Sequence, residues 1–181
     1  MQSARRWWLH LVAFFCVATT VSGDPWPSPR DTVGLEARPF DLSDVKLLDG
    51  PFRAAMLRDR KYLQDLEHER LLHHFWKTAG LPAAAEPMGG WEQTEVRGHT
   101  LGHYLSACAR MVAGTGDEPL KAKTQQIVAE LARCQQANGG GYVAAFPDSF
   151  IDRAVARQRV WAPFYTLHKL LAGLIDVHVY C

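Results

Sequence analysis

The feature that most constrains this chain is the alternation of helical apolar stripes with glycine- and proline-rich breaks. Pro51 follows Asp49-Gly50, where a helix can begin. Apolar residues then recur at Phe52, Ala55, Met56, Tyr62, Leu63, Leu66 and Phe75 until Gly80 and Pro82 interrupt them. That spacing predicts a first helix ending at Gly80. A second is predicted from about Gly98 to Ala113, with Leu101, Leu105, Cys108 and Val112 on one stripe, closed by Gly114-Thr115-Gly116-Asp117. A third runs from Glu118 to Gln136 on Leu120, Ile127, Val128, Leu131 and Cys134, until Asn138-Gly139-Gly140-Gly141 stops it. A fourth starts near Pro163 and carries Leu167, Leu170, Leu171, Leu174 and Ile175. Only Tyr142–Phe146 reads as extended, and one such run builds no sheet. The expected class is all-α with about four helices.

The connections 80–97 and 138–162 are too long, and too rich in Trp, Tyr, Phe and Gly, for a tight bundle with linkers of ~2–8 residues. Long ordered loops tend to carry function, so a helical toroid with its loops gathered at one face is expected. The last predicted helix reaches Cys181 without a stop signal, which predicts a chain that ends inside its domain.

Met1–Arg6 holds two arginines, an apolar stretch Trp7–Ala18 follows, and Val21-Ser22-Gly23 supplies small residues. This order is that of a secretory signal peptide, 1–23, and implies an extracellular or periplasmic protein. The apolar run falls short of the ~20 residues of a membrane span. Residues 24–42 contain four prolines and read as an extended lead-in to a domain over 43–181. Twenty Lys and Arg against 19 Asp and Glu give a net charge of +1, with the basic residues scattered. Neither nucleic acid nor a membrane surface is an expected partner. Cys108, Cys134 and Cys181 remain after signal cleavage, with no CxxC and no metal-ligand spacing. Cys108 and Cys134 fall on apolar helix faces and are expected in the core.

Three stretches hold the polar and aromatic residues that chemistry needs. The first runs from Gly89-Gly90-Trp91-Glu92 into Arg97-Gly98-His99-Thr100-Leu101-Gly102-His103. His99 and His103 stand one turn apart on one helix face. The intervening residues include no glutamate, so the pair is not a zincin motif. Two readings stand: histidines bonding sugar hydroxyls, or histidines bonded to the backbone or a carboxylate. The second stretch, Gly139-Gly140-Gly141-Tyr142, lacks the lysine of a phosphate loop and reads as a structural turn. The third, Trp161-Ala162-Pro163-Phe164-Tyr165-Thr166-Leu167-His168, sets aromatics and a histidine at a helix start. Flat apolar faces beside polar groups are what a sugar site requires, although Phe164 also suits a core. Glycosidases commonly use paired carboxylates. Neither Glu92 with Glu95 nor Asp148 with Asp152 shows a catalytic spacing, and no nucleophile elbow is present.

The runs DGPF (49–52), GGWE (89–92), RGHTLGHYLSACA (97–109), CQQANGGGYVAAFP (134–147) and WAPFYTLHKLLAGLID (161–176) resemble the start of the catalytic domain of β-L-arabinofuranosidase-type glycoside hydrolases, families 127 and 146. The resemblance spans roughly 40–181. It implies an (α/α)6 helical barrel, of which this chain is the N-terminal portion. It also implies retaining hydrolysis of non-reducing-end β-L-arabinofuranosides in plant-type glycans. The implied cysteine nucleophile, its zinc site and the glutamate acid/base lie beyond Cys181, so no catalytic or metal residue is expected within the chain. Carried over as substrate-binding are Trp91, Glu92, His99, His103, Trp161, Tyr165 and His168. An inactive product retaining a sugar-binding surface is the alternative. A different toroid enzyme, such as a uronic-sugar lyase or epimerase, fits the five motifs less well.

Overall fold

A computed structural model describes residue 37 and residues 39–181. The expected signal peptide and most of the expected lead-in lie outside the described residues. Among the described residues there are six α-helices and no strand. They are α1 (Pro51–Asp65), α2 (His68–Thr78), α3 (His99–Thr115), α4 (Glu118–Ala137), α5 (Ser149–Val155) and α6 (Pro163–Tyr180). The all-α expectation holds, while the expected four helices become six for two separate reasons.

The predicted first helix is broken in two at Leu66, whose ψ of 125° leaves the helical region. Carbonyls in a helix's last turn have no intrahelical partner, and here side chains from other helices take them. Tyr104 Oη donates to Leu63 O at 2.6 Å. Lys123 Nζ donates to Leu63 O, Gln64 O and Leu66 O at 3.3, 2.9 and 2.5 Å. A cation at a helix C-terminus also suits the helix dipole. The second addition, α5, escapes a sequence reading because its end carries no glycine. Arg157 takes the left-handed conformation at φ 56°, and Gln158 N–H bonds Arg153 O at 2.8 Å. That is the Schellman ending, which glycine usually provides. Where glycine does provide it, the expected stops are met. Gly80 (φ 68°) closes α2 with Leu81 N–H on Trp76 O, and Gly139 (φ 87°) closes α4 with Gly140 N–H on Gln135 O, both at 2.8 Å.

Glycine also sets the main helix contact. A Cβ on Gly102 would lie 2.2 Å from Lys169 O, and one on Gly173 would lie 2.4 Å from Gly102 O. Backbone therefore meets backbone between α3 and α6. Contacts from His103–Tyr165 through to Arg110–Asp176 show that the two helices run in parallel. Behind them, Lys123 meets Leu66 and Trp76 Nε1 donates to Glu130 at 2.8 Å, so α2 and α4 are parallel as well. A tight turn at Gly116 (φ 70°) joins α3 to α4, with Asp117 accepting from Leu120 N–H at 2.9 Å as N-cap. Leu72, Phe75, Leu101, Leu105, Cys108, Leu120, Ile127 and Leu170 fill the space between the layers, each at most 2% exposed. Cys108 and Cys134 are buried free thiols, as their stripes required.

This arrangement collects the N-termini of α3 and α6 and the C-termini of α2 and α4 at one end. The long connections 79–98 and 138–162 lie at that same end. The run 142–146 forms no strand; it is an irregular segment buried at Ala144, Ala145 and Phe146, with Phe146 stacked on Phe150 at 5.4 Å. Along α6, Phe164, Leu171, Ile175 and Val179 form a separate exposed apolar stripe.

Candidate functional site

Three elements meet where α3 and α6 begin. Gly98 precedes α3 at φ 97°, and a Cβ there would come within 2.6 Å of Ala145 Cβ and 3.2 Å of Phe75. Glycine is therefore required both by its dihedral and by the close approach. The 3₁₀ turn Gly90–Gln93 folds back over this point and delivers Glu92, 4% exposed, to the start of α3. Its carboxylate accepts from Gly98 N–H at 2.6 Å and Thr100 N–H at 3.0 Å, satisfying free amides at a helix N-terminus.

Glu92 also fixes His99. The ring's Nδ1 lies 2.9 Å from Val96 O and 3.1 Å from Glu92 Oε1. Both neighbours are acceptors, so the hydrogen-bond pattern assigns the proton to Nδ1. In the neutral ring, Nε2 is then an acceptor. Around His99 stand Trp91, His103 and Tyr165, each with its ring centre 6.0 Å away. Trp161 meets Trp91 edge-on at 5.8 Å. Trp91, Trp161 and Tyr165 are all exposed.

On the open side, His103 Nε2 lies 3.4 Å from Tyr165 Oη. Lys169 Nζ sits 5.2 Å from the Tyr165 ring centre. Burial, then Lys169, then His99 hold the His103 imidazole below its ordinary value, so it is neutral at pH 7.

Six of the seven expected residues are thus brought together: Trp91, Glu92, His99, His103, Trp161 and Tyr165. Their arrangement differs from a simple lining in one respect. Glu92 lies beneath the rings with both carboxylate oxygens engaged, and it positions His99 rather than facing outward. His168 is exposed on α6, one turn beyond Tyr165 and between Phe164 and Leu171 of the apolar stripe, and shows no ring contact with the cluster among the described residues. Both readings of the histidines find a place. His99 is bonded to backbone and carboxylate through Nδ1, and its second nitrogen makes no hydrogen bond among the described residues.

Sequence reasoning missed two residues. Glu95 accepts from Trp161 N–H and from Arg153 Nη1, both at 2.9 Å, so it straps the 153–161 segment to the 3₁₀ turn. The Trp161 amide and then the Arg153 side chain hold its carboxyl below the usual range. Arg153 also donates to Arg159 O. These partners are 58 to 66 residues away from Glu95, a distance that leaves no local trace. Lys169 was missed too, although its spacing of four from Tyr165 on a helix placed both on one face.

Among the described residues no group of three or more His, Cys, Asp or Glu side chains is placed to hold a metal. Burial raises the Cys108 thiol to about 11 and raises Cys134 as well, which disfavours the thiolate that zinc requires. These cysteines do not fit a zinc site. Glu92 and Glu95 are both engaged, Glu92 by the Gly98 and Thr100 amides and Glu95 by the Trp161 amide and Arg153. What the arrangement offers is recognition: three exposed aromatic faces, an imidazole acceptor, a neutral second imidazole, a phenol and an ammonium group.

No helix among the described residues is long and apolar enough to cross a membrane. A comparison with curated proteins finds no match. Residues 44–181 match the family described as beta-L-arabinofuranosidase, GH127 catalytic domain. That match covers most of the chain and agrees with its all-helical, two-layer arrangement as part of an α/α barrel. The chain belongs to the GH127 family of glycoside hydrolase catalytic domains, whose substrates are carbohydrates.

Proposed function

We propose that the cluster at the start of α3 and α6 is the sugar-recognition wall of a secreted enzyme that removes terminal β-L-arabinofuranosyl groups from plant-type glycans. The observation that carries this reading is His99. Its Nδ1 is held by Val96 O and Glu92, which leaves Nε2 as a fixed acceptor inside a ring of aromatic faces. A furanose offers C–H faces to Trp91 or Trp161 and a hydroxyl proton to His99, while Tyr165 and Lys169 supply donors. The bond-breaking groups of the retaining reaction, including the zinc-held cysteine nucleophile, belong to residues other than those described. The role of this segment is to bind and orient the sugar.

Methyl β-L-arabinofuranoside titrated into the labelled chain is expected to shift the indole signals of Trp91 and Trp161. Both shifts should be lost in His99→Ala, and that of Trp91 in Trp161→Ala. In a catalytically competent protein carrying this segment, either change is expected to lower kcat/KM by roughly ten- to a hundredfold: His99→Ala leaves a buried hydroxyl unpaired at ~1–3 kcal/mol, and Trp161→Ala removes a stacking face. Unaltered indole signals at saturating sugar would refute the proposal. A second reading is a product that binds sugar without catalysis, since the cluster offers recognition groups whether or not turnover follows. Binding without turnover of aryl β-L-arabinofuranosides by the chain would support it.

A further inference from the structure

A second concavity opens at the same end of the molecule, between the C-termini of α2 and α4 and the 142–148 turn. Its volume is about 610 Å³, within the ~300–1,000 Å³ typical of ligand sites. His74, Lys77, Arg97, Asn138, Tyr142 and Asp148 supply its polar lining. Asn138 and Tyr142 donate to Tyr142 O and Phe146 O, and the Arg97 guanidinium lies over the Phe150 ring, while the other polar groups keep unused capacity. Arg97 donates through Nε to Ala145 O and through Nη1 to Thr94 O, while its Nη2 makes no hydrogen bond among the described residues. The Lys77 ammonium pairs with no carboxylate among the described residues. His74 Nε2 is buried without a hydrogen bond of normal geometry. Asp148 stands at the start of α5 and makes no capping bond to it. Its charge, added to burial, raises the Tyr142 phenol to about 12.

Two permanent cations face one carboxylate, so the cavity favours an anion overall. Helix C-termini normally oppose an anion, but both are closed here by the glycine endings at Gly80 and Gly139. A bare inorganic anion would leave Asp148 facing like charge. A ligand that carries a carboxylate on one edge and hydroxyls on another satisfies both signs.

We propose that this cavity is a second carbohydrate site, selective for a uronate: the sugar's carboxylate meets Lys77 and Arg97, and its hydroxyls donate to Asp148. That the ligand is a sugar rests on the glycoside hydrolase reading; its negative charge rests on the lining alone. Such a site would hold an acidic unit of the glycan while a different unit occupies the aromatic cluster.

The test is an amide-resolved titration of the full chain with sodium galacturonate, galactose and sodium acetate at matched ionic strength. Galacturonate should shift Tyr142, Asp148 and Lys77, and should bind at least about tenfold more tightly than galactose or acetate. Lys77→Met and Asp148→Asn should each weaken it by about tenfold; both side chains stand outside the core, and each variant's amide spectrum reports its folding. Equal binding of acetate would reduce the cavity to an anion patch and overturn the proposal. Equal binding of galactose, affinity unchanged in both variants, or silence toward all three ligands would overturn it too. The Trp91 and Trp161 indoles report the other site in the same spectra, so failure of one reading is seen apart from failure of the other.

Discussion

Removing the Glu92 carboxylate leaves two amides at the start of α3 without their acceptor and takes one of two partners from His99 Nδ1. Glu92→Ala is therefore expected to cost ~1–3 kcal/mol in chemical denaturation. Glu92→Gln, which keeps one acceptor oxygen, should cost less. Neither residue type nor spacing announced this role: a glutamate six residues ahead of Gly98 is outside the usual capping-box register. The cysteines, in contrast, were legible from their stripes. Cys108 and Cys134 should stay inert toward a thiol reagent at pH 8 in the folded chain, while the part-exposed Cys181 reacts. Of Cys108, Cys134 and Cys181, one is expected to react fast natively and all three in denaturant. Rapid native reaction of Cys108 would mean that the α3–α4 interface opens.

Helices behave differently according to what their glycines touch. Gly102→Ala would drive a methyl group into the Lys169 carbonyl, a backbone atom that cannot step aside. A loss of ~3 kcal/mol or more is expected, with α3 and α6 forced apart. Gly114 sits in the same helix, and a Cβ there would meet nothing within 4 Å. Gly114→Ala should be neutral or stabilise by up to ~1 kcal/mol through helix propensity. Thermal melts of the two variants side by side separate packing from propensity. From sequence alone the two glycines look alike, because neither carries a side chain that could contribute to a stripe. The starts and stops of α3 and α4 were legible because local chemistry marks them: Asp117 as N-cap, Gly116 and Gly139 as left-handed turns. The break after α1 was not, because Tyr104 and Lys123 bind its last carbonyls from 41 to 60 residues away. The end of α5 was not, because arginine stands where glycine would signal it.

For the molecule as a whole, His68, His74 and His103 share one tendency: burial is the leading cause that holds each imidazole below its ordinary value. Well above pH ~6.5 each is neutral folded and unfolded, and contributes nothing to pH dependence. As pH falls through that value the unfolded chain takes up protons first, so stability must decline on the acid side. Urea midpoints at pH 7.5 and 5.5 should show this fall, and His103→Gln should make it shallower. A flat profile would place these rings in water. The sequence by itself determined the helical class, most helix ends, the buried cysteines and the neighbourhood of the aromatic cluster, since periodicity, caps and motifs are local properties of the chain. Tertiary structure alone decided which end of the fold collects the long connections, that Glu92 points inward and holds His99 through Nδ1, and that Glu95 straps Trp161. Those outcomes depend on contacts between residues far apart in the chain, formed only once Gly102 and Gly173 let α3 and α6 close to backbone distance.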